Sequence, residues 1–190
     1  MKILLKKATL INDKSVFHNK KVDILIENGL LSKIDNNIDV DANQLINLEE
    51  LHVSSGWFDP NISFGEPGFE ERETLENGLL TAAKSGFTHV LLNPNTNPKT
   101  STLADVNHLI QSTLSQTTKL HVSAVLSEKK YANKMASLYD MHIAGAKAFG
   151  NFNETIINPN ELKIALDYVQ TFDGIVPVSY THLTLPTNGT

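Results

Sequence analysis

The stretch GWFDPNISFGEPGFEERET, from Gly56 to Thr74, marks the point where the chain changes its pattern. It begins as a short strand, continues into the turn signal Pro67-Gly68, and ends in residues that favour a helix. Before this stretch the pattern is that of β-structure alone. After it, strands and helices alternate to about residue 178. The stretch therefore separates two regions and decides the fold class of the larger one.

The region before it, residues 1–55, has the period-two alternation of half-buried strands. Val22, Ile24 and Ile26 alternate with polar neighbours, and Asn28-Gly29 follows them. Both residues of this dipeptide tolerate positive φ, so it favours a tight hairpin. The region predicts a small, mostly antiparallel sheet.

From residue 56 onward, apolar runs of strand length alternate with segments of helical length. The strands predicted after the first are FTHVLLN, LHVSAVL and AKAFG, and GIVPV begins a fifth. The helices predicted between them are FEERETLENGLLTAAKSG, TSTLADVNHLIQSTLSQ, EKKYANKMASLYDMHIAG and NPNELKIALDYVQTFDG. This alternation is typical of a parallel sheet, in a barrel or in a doubly wound fold. No Gly-x-Gly-x-x-Gly or Walker loop follows a strand, which makes a nucleotide-binding sheet the weaker alternative.

We therefore predict an α/β fold in which a small β-sheet domain (1–55) precedes a partial barrel (56–178). The barrel is of the (β/α)8 TIM type, with about five of its eight strands, since a complete one needs roughly 250 residues. Residues 179–190 break the alternation, and SYTHLTLPTN resembles translated sequencing-adapter DNA. We expect these residues to be a foreign or disordered tail; the alternative is a native polar terminus.

Composition narrows the functional class. A net charge of -5, with 16 basic residues and no basic cluster, argues against nucleic-acid binding. The absence of cysteine excludes thiolate metal sites and suits a reducing compartment. No apolar run is long enough for a signal peptide or a membrane span. We expect a soluble, cytoplasmic protein without a nucleic-acid or membrane partner.

Two motifs resemble the dihydroorotase family of the amidohydrolase superfamily. Residues 66–70 are Glu-Pro-Gly-Phe-Glu, which the family has shortly after its first barrel strand, and residues 94–98 are Pro-Asn-Thr-Asn-Pro, which follow its second. Their order and spacing also agree with the family, and the resemblance extends along nearly the whole chain to Val178. It implies a cyclic amidohydrolase of pyrimidine biosynthesis, acting on a small molecule. The family's parent reaction is the reversible, zinc-dependent ring closure of N-carbamoyl-aspartate to dihydroorotate.

The resemblance also implies zinc ligands, and this chain departs from them. The family's first strand ends in Asp-x-His-x-His, and two histidines at i and i+2 point to one face and hold one metal ion. Asn61 and Ser63 occupy those two positions here, while Asp59 is retained. Gly150 occupies the position of a carboxylated lysine in some members, and Asn151 that of an aspartate in others. Neutral oxygens are much poorer zinc ligands than imidazoles, so we expect weak or absent zinc binding.

On the substrate side, the family binds a carboxylate with an arginine and with the asparagine of Pro-Asn-Thr. Gly65 occupies the arginine position, so bidentate recognition of a carboxylate is lost. Asn95 remains, and it is the one substrate-binding residue that the resemblance carries over. We expect Asn61, Ser63 and Asn95 to lie together at the carboxyl ends of the barrel strands.

The histidines elsewhere in the chain do not replace the missing ligands. His89 and His121 are predicted near strand starts, at the end opposite the site, and His108 and His142 on helices. Lys147 falls three positions before the slot of the carboxylated lysine. We interpret these as surface or locally hydrogen-bonded side chains.

Two functions of different classes follow from this pattern. One is a dihydroorotase-like amidohydrolase with impaired catalysis, so that enzyme activity in this copy stays open. The other is a noncatalytic subunit that associates with another pyrimidine enzyme, such as aspartate transcarbamoylase, or with copies of itself. A cyclic-amide hydrolase with a different metal arrangement is a third alternative.

Overall fold

The computed structural model describes residues 1–128, 134–154 and 159–177. The chain divides into two compact units, Met1–Gly56 and Trp57–Thr190. The division falls at the beginning of the stretch where the sequence pattern changes. The predicted tail, residues 179–190, lies outside the described residues.

The first unit is a five-stranded sheet of β1 (Lys2–Ile11), β2 (Lys21–Glu27), β3 (Leu30–Asp35), β4 (Gln44–Ile46) and β5 (His52–Ser54). β2 pairs antiparallel with β1 and with β3, while β4 and β5 both run parallel to β1. Asn28 and Gly29 form the turn between β2 and β3 with positive φ, as the dipeptide predicts. The predicted mostly antiparallel sheet is therefore mixed, because two strands of three residues return parallel to β1.

A buried carboxylate holds an irregular part of this sheet together. Asp23 is 1% exposed and accepts hydrogen bonds from the Lys6 amine and from the backbone N–H groups of Lys7 and Ile38, the latter two at 3.0 and 2.9 Å. Lys7 has a φ of 52° at a bulge in β1. Burial raises the pKa of Asp23, but the hydrogen bonds from Lys6, Lys7 and Ile38 outweigh it and hold the pKa below its ordinary value. Asp23 thus joins the bulge of β1 to the loop after β3.

The second unit contains a sheet of parallel strands with intervening helices. Its strands are β6 (Trp57–Ile62), β7 (Phe87–Leu92), β8 (Lys119–Ala124) and, after the hairpin of β9 (Ser127–Glu128) and β10 (Lys134–Met135), β11 (Ala148–Phe149). The four strands β6, β7, β8 and β11 lie side by side in chain order, and Ile175 adds a parallel bridge to Ala148. The helices are α1 (Leu75–Lys84), α2 (Leu103–Ser112), α3 (Leu138–Ile143) and α4 (Pro159–Gln170). This arrangement confirms the predicted fold class, an α/β fold with a partial barrel.

Helix α1 begins later than the sequence predicts. The Thr74 side chain accepts a hydrogen bond from the N–H of Asn77 at 3.2 Å, and Glu66 Oε2 accepts one from the N–H of Leu75 at 2.8 Å. Such caps satisfy the first free N–H groups of a helix and fix where it begins. Residues 69–73, predicted as its first turn, therefore belong to the loop that leads to the cap. In the described part of the chain, no helix has the length and apolar character needed to cross a membrane.

The third predicted helix is largely replaced by other structure. A helix was predicted over residues 128–145, but α3 spans only Leu138–Ile143, and β9 and β10 form an antiparallel hairpin before it. Asn151 Oδ1 accepts hydrogen bonds from the N–H groups of Leu126 and Ser127 at 3.0 and 3.2 Å. These tertiary contacts hold extended backbone where local propensity favours a helix.

The core of the second unit lies between the sheet and the helices. Val90 and Leu92 of β7 and Val122 of β8 are at most 1% exposed and pack in one cluster with Leu79 of α1 and Val106 of α2. Successive strand residues point to opposite faces of a sheet. The alternate residues of β7 and β8 therefore project away from the helices, and the candidate site is built on that side.

Candidate functional site

A cavity of about 580 Å³ lies at the carboxyl ends of the parallel strands, which is the end where barrel active sites are found. We call it the strand-end cavity. Its polar side chains are Asn61, Asn93, Ser123, Asn151 and Asn153. Prolines, one glycine and Phe152 complete the described lining, and no acid, base or histidine is among these residues. The described lining is therefore uncharged.

Asn93 joins the ends of the first two strands of this sheet. It follows β7 directly and is 8% exposed. Its Nδ2 donates to Asn61 Oδ1 at 2.7 Å and to Ser63 Oγ at 3.4 Å. The two residues at the family's histidine positions thus converge on one amide. Sequence reasoning did not single out Asn93, although its place between a buried strand and Pro-Asn-Thr was a signal for it.

The oxygen atoms at the expected ligand positions serve hydrogen bonds within the protein. Asn61 Oδ1 accepts from Asn93, and Asn151 Oδ1 accepts from two backbone N–H groups while its Nδ2 donates to Ser127 Oγ at 2.8 Å. Within residues 1–128, 134–154 and 159–177, no three or more His, Cys, Asp or Glu side chains come together as a metal site. Neutral oxygens that are already hydrogen-bonded do not fit zinc, so the residues described here are not a zinc-binding set.

Asp59 and Asn95 lie beside the strand-end cavity, and the described lining includes neither of them. Asp59 lines a hollow of about 210 Å³ together with residues of α1, and its Oδ1 accepts from the N–H of Asn61 at 2.9 Å. Asn95 Oδ1 is buried and has no hydrogen-bond partner in the described part of the chain. The structure thus brings Asn61 and Ser63 together on Asn93, while a substrate contact for Asn95 stays a prediction.

The two motifs of the resemblance contact each other. The N–H of Asn97 donates to the Pro67 carbonyl oxygen at 2.9 Å. Gly68 has a φ of +95°, and a Cβ added there would lie 2.0 Å from the Asn97 carbonyl oxygen. Thr96 Oγ1 donates to the Pro98 carbonyl oxygen at 2.9 Å. Glu-Pro-Gly-Phe-Glu and Pro-Asn-Thr-Asn-Pro therefore brace the loops after β6 and β7 against each other.

Gly65, at the arginine position, is confined by the turn around it. Its N–H donates to the Glu73 carbonyl oxygen, and its own carbonyl oxygen accepts from the N–H of Phe69, both at 2.9 Å. A Cβ added at Gly65 would lie 1.8 Å from the Phe69 carbonyl oxygen. Any larger residue at this position, including arginine, requires the turn to open.

The histidines lie where the sequence predicts. His89 and His121 are near the amino ends of β7 and β8, with His89 Nδ1 and His121 Nε2 3.0 Å apart and their rings stacked at 5.2 Å between centroids. Burial, and then the charges of His89 and of nearby lysines such as Lys147, lower the pKa of His121. His108 lies on α2 and His142 on α3. None of these four residues is in the described lining of the strand-end cavity.

Solved structures define the class of fold. The L-hydantoinase (dihydropyrimidinase) from Arthrobacter aurescens superposes with a TM-score of 0.76 at 18% identity, covering 92% of this chain and 39% of that one. A crystal structure of a dihydroorotase superposes with a TM-score of 0.60 at 12% identity, covering 94% of this chain and 51% of that one. The second unit is thus part of an amidohydrolase-type barrel.

A curated relative narrows this class. The dihydroorotase of Aquifex aeolicus is 29% identical over 168 residues, which are 88% of this chain and 40% of that protein. No family model matches the chain. The chain belongs to the dihydroorotase family of the amidohydrolase superfamily, which confirms the resemblance carried by the two motifs. It spans about 40% of the length of the curated relatives that it matches.

Proposed function

We propose that this protein is a dihydroorotase-like homologue of pyrimidine biosynthesis in which catalysis is impaired. The observation that carries the proposal is the contact of Asn61 and Ser63 with the Asn93 amide, at the two positions where the family has its metal-binding histidines. The loops around the site are retained, because the two motifs still brace each other. The chemical groups inside that frame are different.

The groups that are present favour binding over catalysis. Amide and hydroxyl side chains are uncharged near neutral pH, so they can orient a ligand through hydrogen bonds. They are poor proton acceptors and cannot act as the general base that a hydrolytic reaction needs. The described lining of the strand-end cavity offers no histidine or carboxylate for that role.

Recognition of the parent substrate's carboxylate is also weakened. A carboxylate is held best by the two parallel hydrogen bonds of an arginine. Gly65 occupies that position, and the turn around it leaves no space for a side chain. Dihydroorotate and N-carbamoyl-aspartate should therefore bind more weakly here than in a dihydroorotase with its arginine and histidines.

The test is the zinc content and dihydroorotate hydrolysis of the purified full-length protein, with and without added zinc. A histidine-bearing dihydroorotase, measured in parallel, is the control. We expect less than one zinc ion per chain and turnover at least about a thousandfold below the control, since losing groups that act as a unit has effects of this size or greater. Stoichiometric zinc with ordinary turnover would contradict the proposal.

A noncatalytic partner subunit is the second candidate. The contact between Pro67 and Asn97 favours it, because a scaffolding role needs the loop frame to persist without the catalytic groups. The partner that the family suggests is another pyrimidine enzyme, such as aspartate transcarbamoylase. Size-exclusion chromatography of the full-length protein with and without that enzyme tests this. Elution of the two proteins at their separate positions would contradict the association, and a larger species formed by the protein alone would indicate a homo-oligomer.

A further inference from the structure

We propose that the strand-end cavity binds a small uncharged amide or ureide through Asn93, Ser123 and Asn61, without a metal ion. This inference concerns the same site as the proposed function and rests on it in one respect, namely that this site no longer relies on zinc. It goes further, because it assigns a ligand class and two contact residues, Asn93 and Ser123, that the family resemblance does not supply.

The first argument is that two buried polar side chains in the cavity keep free hydrogen-bonding atoms. Asn93 is 8% exposed and Ser123 is 2% exposed, and both line the cavity. Asn93 uses Nδ2 for Asn61 and Ser63, which leaves its Oδ1. In the described part of the chain, neither this Oδ1 nor Ser123 Oγ has a hydrogen-bond partner. Buried polar groups are normally paired, so atoms of this kind indicate a place where a ligand supplies the partner.

The second argument is the combination of donors and acceptors. Asn93 Oδ1 accepts, Ser123 Oγ both donates and accepts, and the Asn61 amide nitrogen donates. An amide or ureide group presents N–H and C=O side by side, which complements this set. Pro60, Pro94 and Phe152 supply apolar surface beside it for a flat ring. The volume of about 580 Å³ is within the range of small-molecule sites.

The third argument is charge. The described lining contains no lysine, arginine or histidine that could balance an anionic ligand. Lys99, on the loop after β7, is paired with Glu154, on the loop after β11, so its charge is already compensated. A carboxylate that loses its hydration without a cationic partner is strongly disfavoured. The cavity should therefore select uncharged ligands over their carboxylated counterparts.

Isothermal titration calorimetry of the full-length protein in EDTA tests the inference with two probes. Dihydrouracil and dihydroorotate share one ring and differ by a carboxylate, so the pair isolates the effect of charge. We expect dihydrouracil to bind in EDTA at least about tenfold more tightly than dihydroorotate, because the carboxylate has no partner. Absence of dihydrouracil binding in EDTA, or equal or tighter binding of dihydroorotate, would overturn the inference.

Single substitutions identify the contact residues. Ser123→Ala and Asn61→Ala should each weaken dihydrouracil binding about five- to tenfold, the usual effect of losing one neutral hydrogen bond. Ser112→Ala on α2 is the matched control, since Ser112 Oγ donates to the Leu109 carbonyl oxygen away from the cavity. Asn61 is exposed, so its variant tests the site even where Ser123→Ala affects folding. Unchanged affinity in both cavity variants would contradict the inference.

The inference and the proposed function can fail separately. Stoichiometric zinc with dihydroorotate hydrolysis would contradict the proposed function, and the titrations in EDTA would still decide the inference. Conversely, a protein without zinc and without dihydrouracil binding would support the proposed function and overturn the inference.

Discussion

Asp23 in the first unit and Asn93 in the second are both buried polar side chains, yet they are used differently. Asp23 is charged and accepts hydrogen bonds from a lysine and two backbone N–H groups. Asn93 is neutral, and its oxygen has no partner among the described residues. A fully paired polar group fixes the fold around it, whereas one with a free atom stays available to a ligand. The difference separates closed polar sites, which are structural, from the open strand-end cavity.

The turn at Gly68 is the most tightly closed of these sites, and Gly68→Ala should have the largest effect. Its Cβ would meet the Asn97 carbonyl oxygen at 2.0 Å, and the backbone has positive φ. We expect a loss of about 3 kcal/mol in the free energy of unfolding, measured by urea denaturation. Gly29→Ala is the control, since Gly29 also has positive φ but nothing within 4 Å. Its cost should be about 1 kcal/mol, and equal losses in the two variants would contradict the steric argument.

Asp23→Asn should have the next largest effect. The variant leaves the Lys6 amine without its anionic partner and weakens two hydrogen bonds to backbone N–H groups. Removing one member of a buried pair is strongly destabilising, and partial exposure of Lys6 reduces the effect to about 2 kcal/mol. Asp35→Asn, at an exposed ion pair with Lys33, is the matched control and should change stability by less than about 0.5 kcal/mol. A small effect at both positions would mean that Asp23 is not a closed site.

The same carboxylate predicts a pH dependence. Because hydrogen bonds hold the pKa of Asp23 below its ordinary value, its contribution is complete above the unfolded-state pKa of about 3.9. It is lost as the pH falls from there through the lower folded-state pKa. Urea midpoints of the native protein and of Asp23→Asn, measured between neutral and acidic pH, should therefore converge in acid. A constant difference at every pH would contradict this assignment.

The smallest effect on stability is expected in the open cavity. Ser123 is 2% exposed, but its hydroxyl has no protein partner to lose in the described part of the chain. Ser123→Ala should therefore change the free energy of unfolding by less than about 0.5 kcal/mol. Thr113→Ala on the C-terminal side of α2 is the comparison, because Thr113 Oγ1 donates to the Leu109 carbonyl oxygen at 2.8 Å and is also buried. A larger loss for Ser123→Ala than for Thr113→Ala would place Ser123 among the closed sites.

Much of the fold could be predicted from the sequence, because periodicity and turn residues are local signals. The alternation after residue 56 gave parallel strands and helices, and Asn28-Gly29 gave the hairpin of the first unit. The hairpin of β9 and β10 could not be predicted in this way. It depends on hydrogen bonds from Asn151, which is more than 20 residues further along the chain.

The candidate site was predictable in position but not in its contacts. The two motifs identified the strand ends, and Asn61 and Ser63 do lie there. The role of Asn93 depends on a side-chain contact across two strands, and no local pattern shows which amide lies opposite which. The same limit applies to Gly65, because only the folded turn brings the Phe69 carbonyl oxygen close to it.

The closed turn at Gly65 has a consequence for the evolutionary history of the site. Asn61 and Ser63 are exposed, so a single substitution at each could return a histidine without disturbing its surroundings. An arginine at position 65 has no such short path, because the backbone must first be rebuilt around Phe69 and Glu73. Reversion is therefore unequal along this one loop: metal binding is a few mutations away, whereas carboxylate recognition requires a new loop.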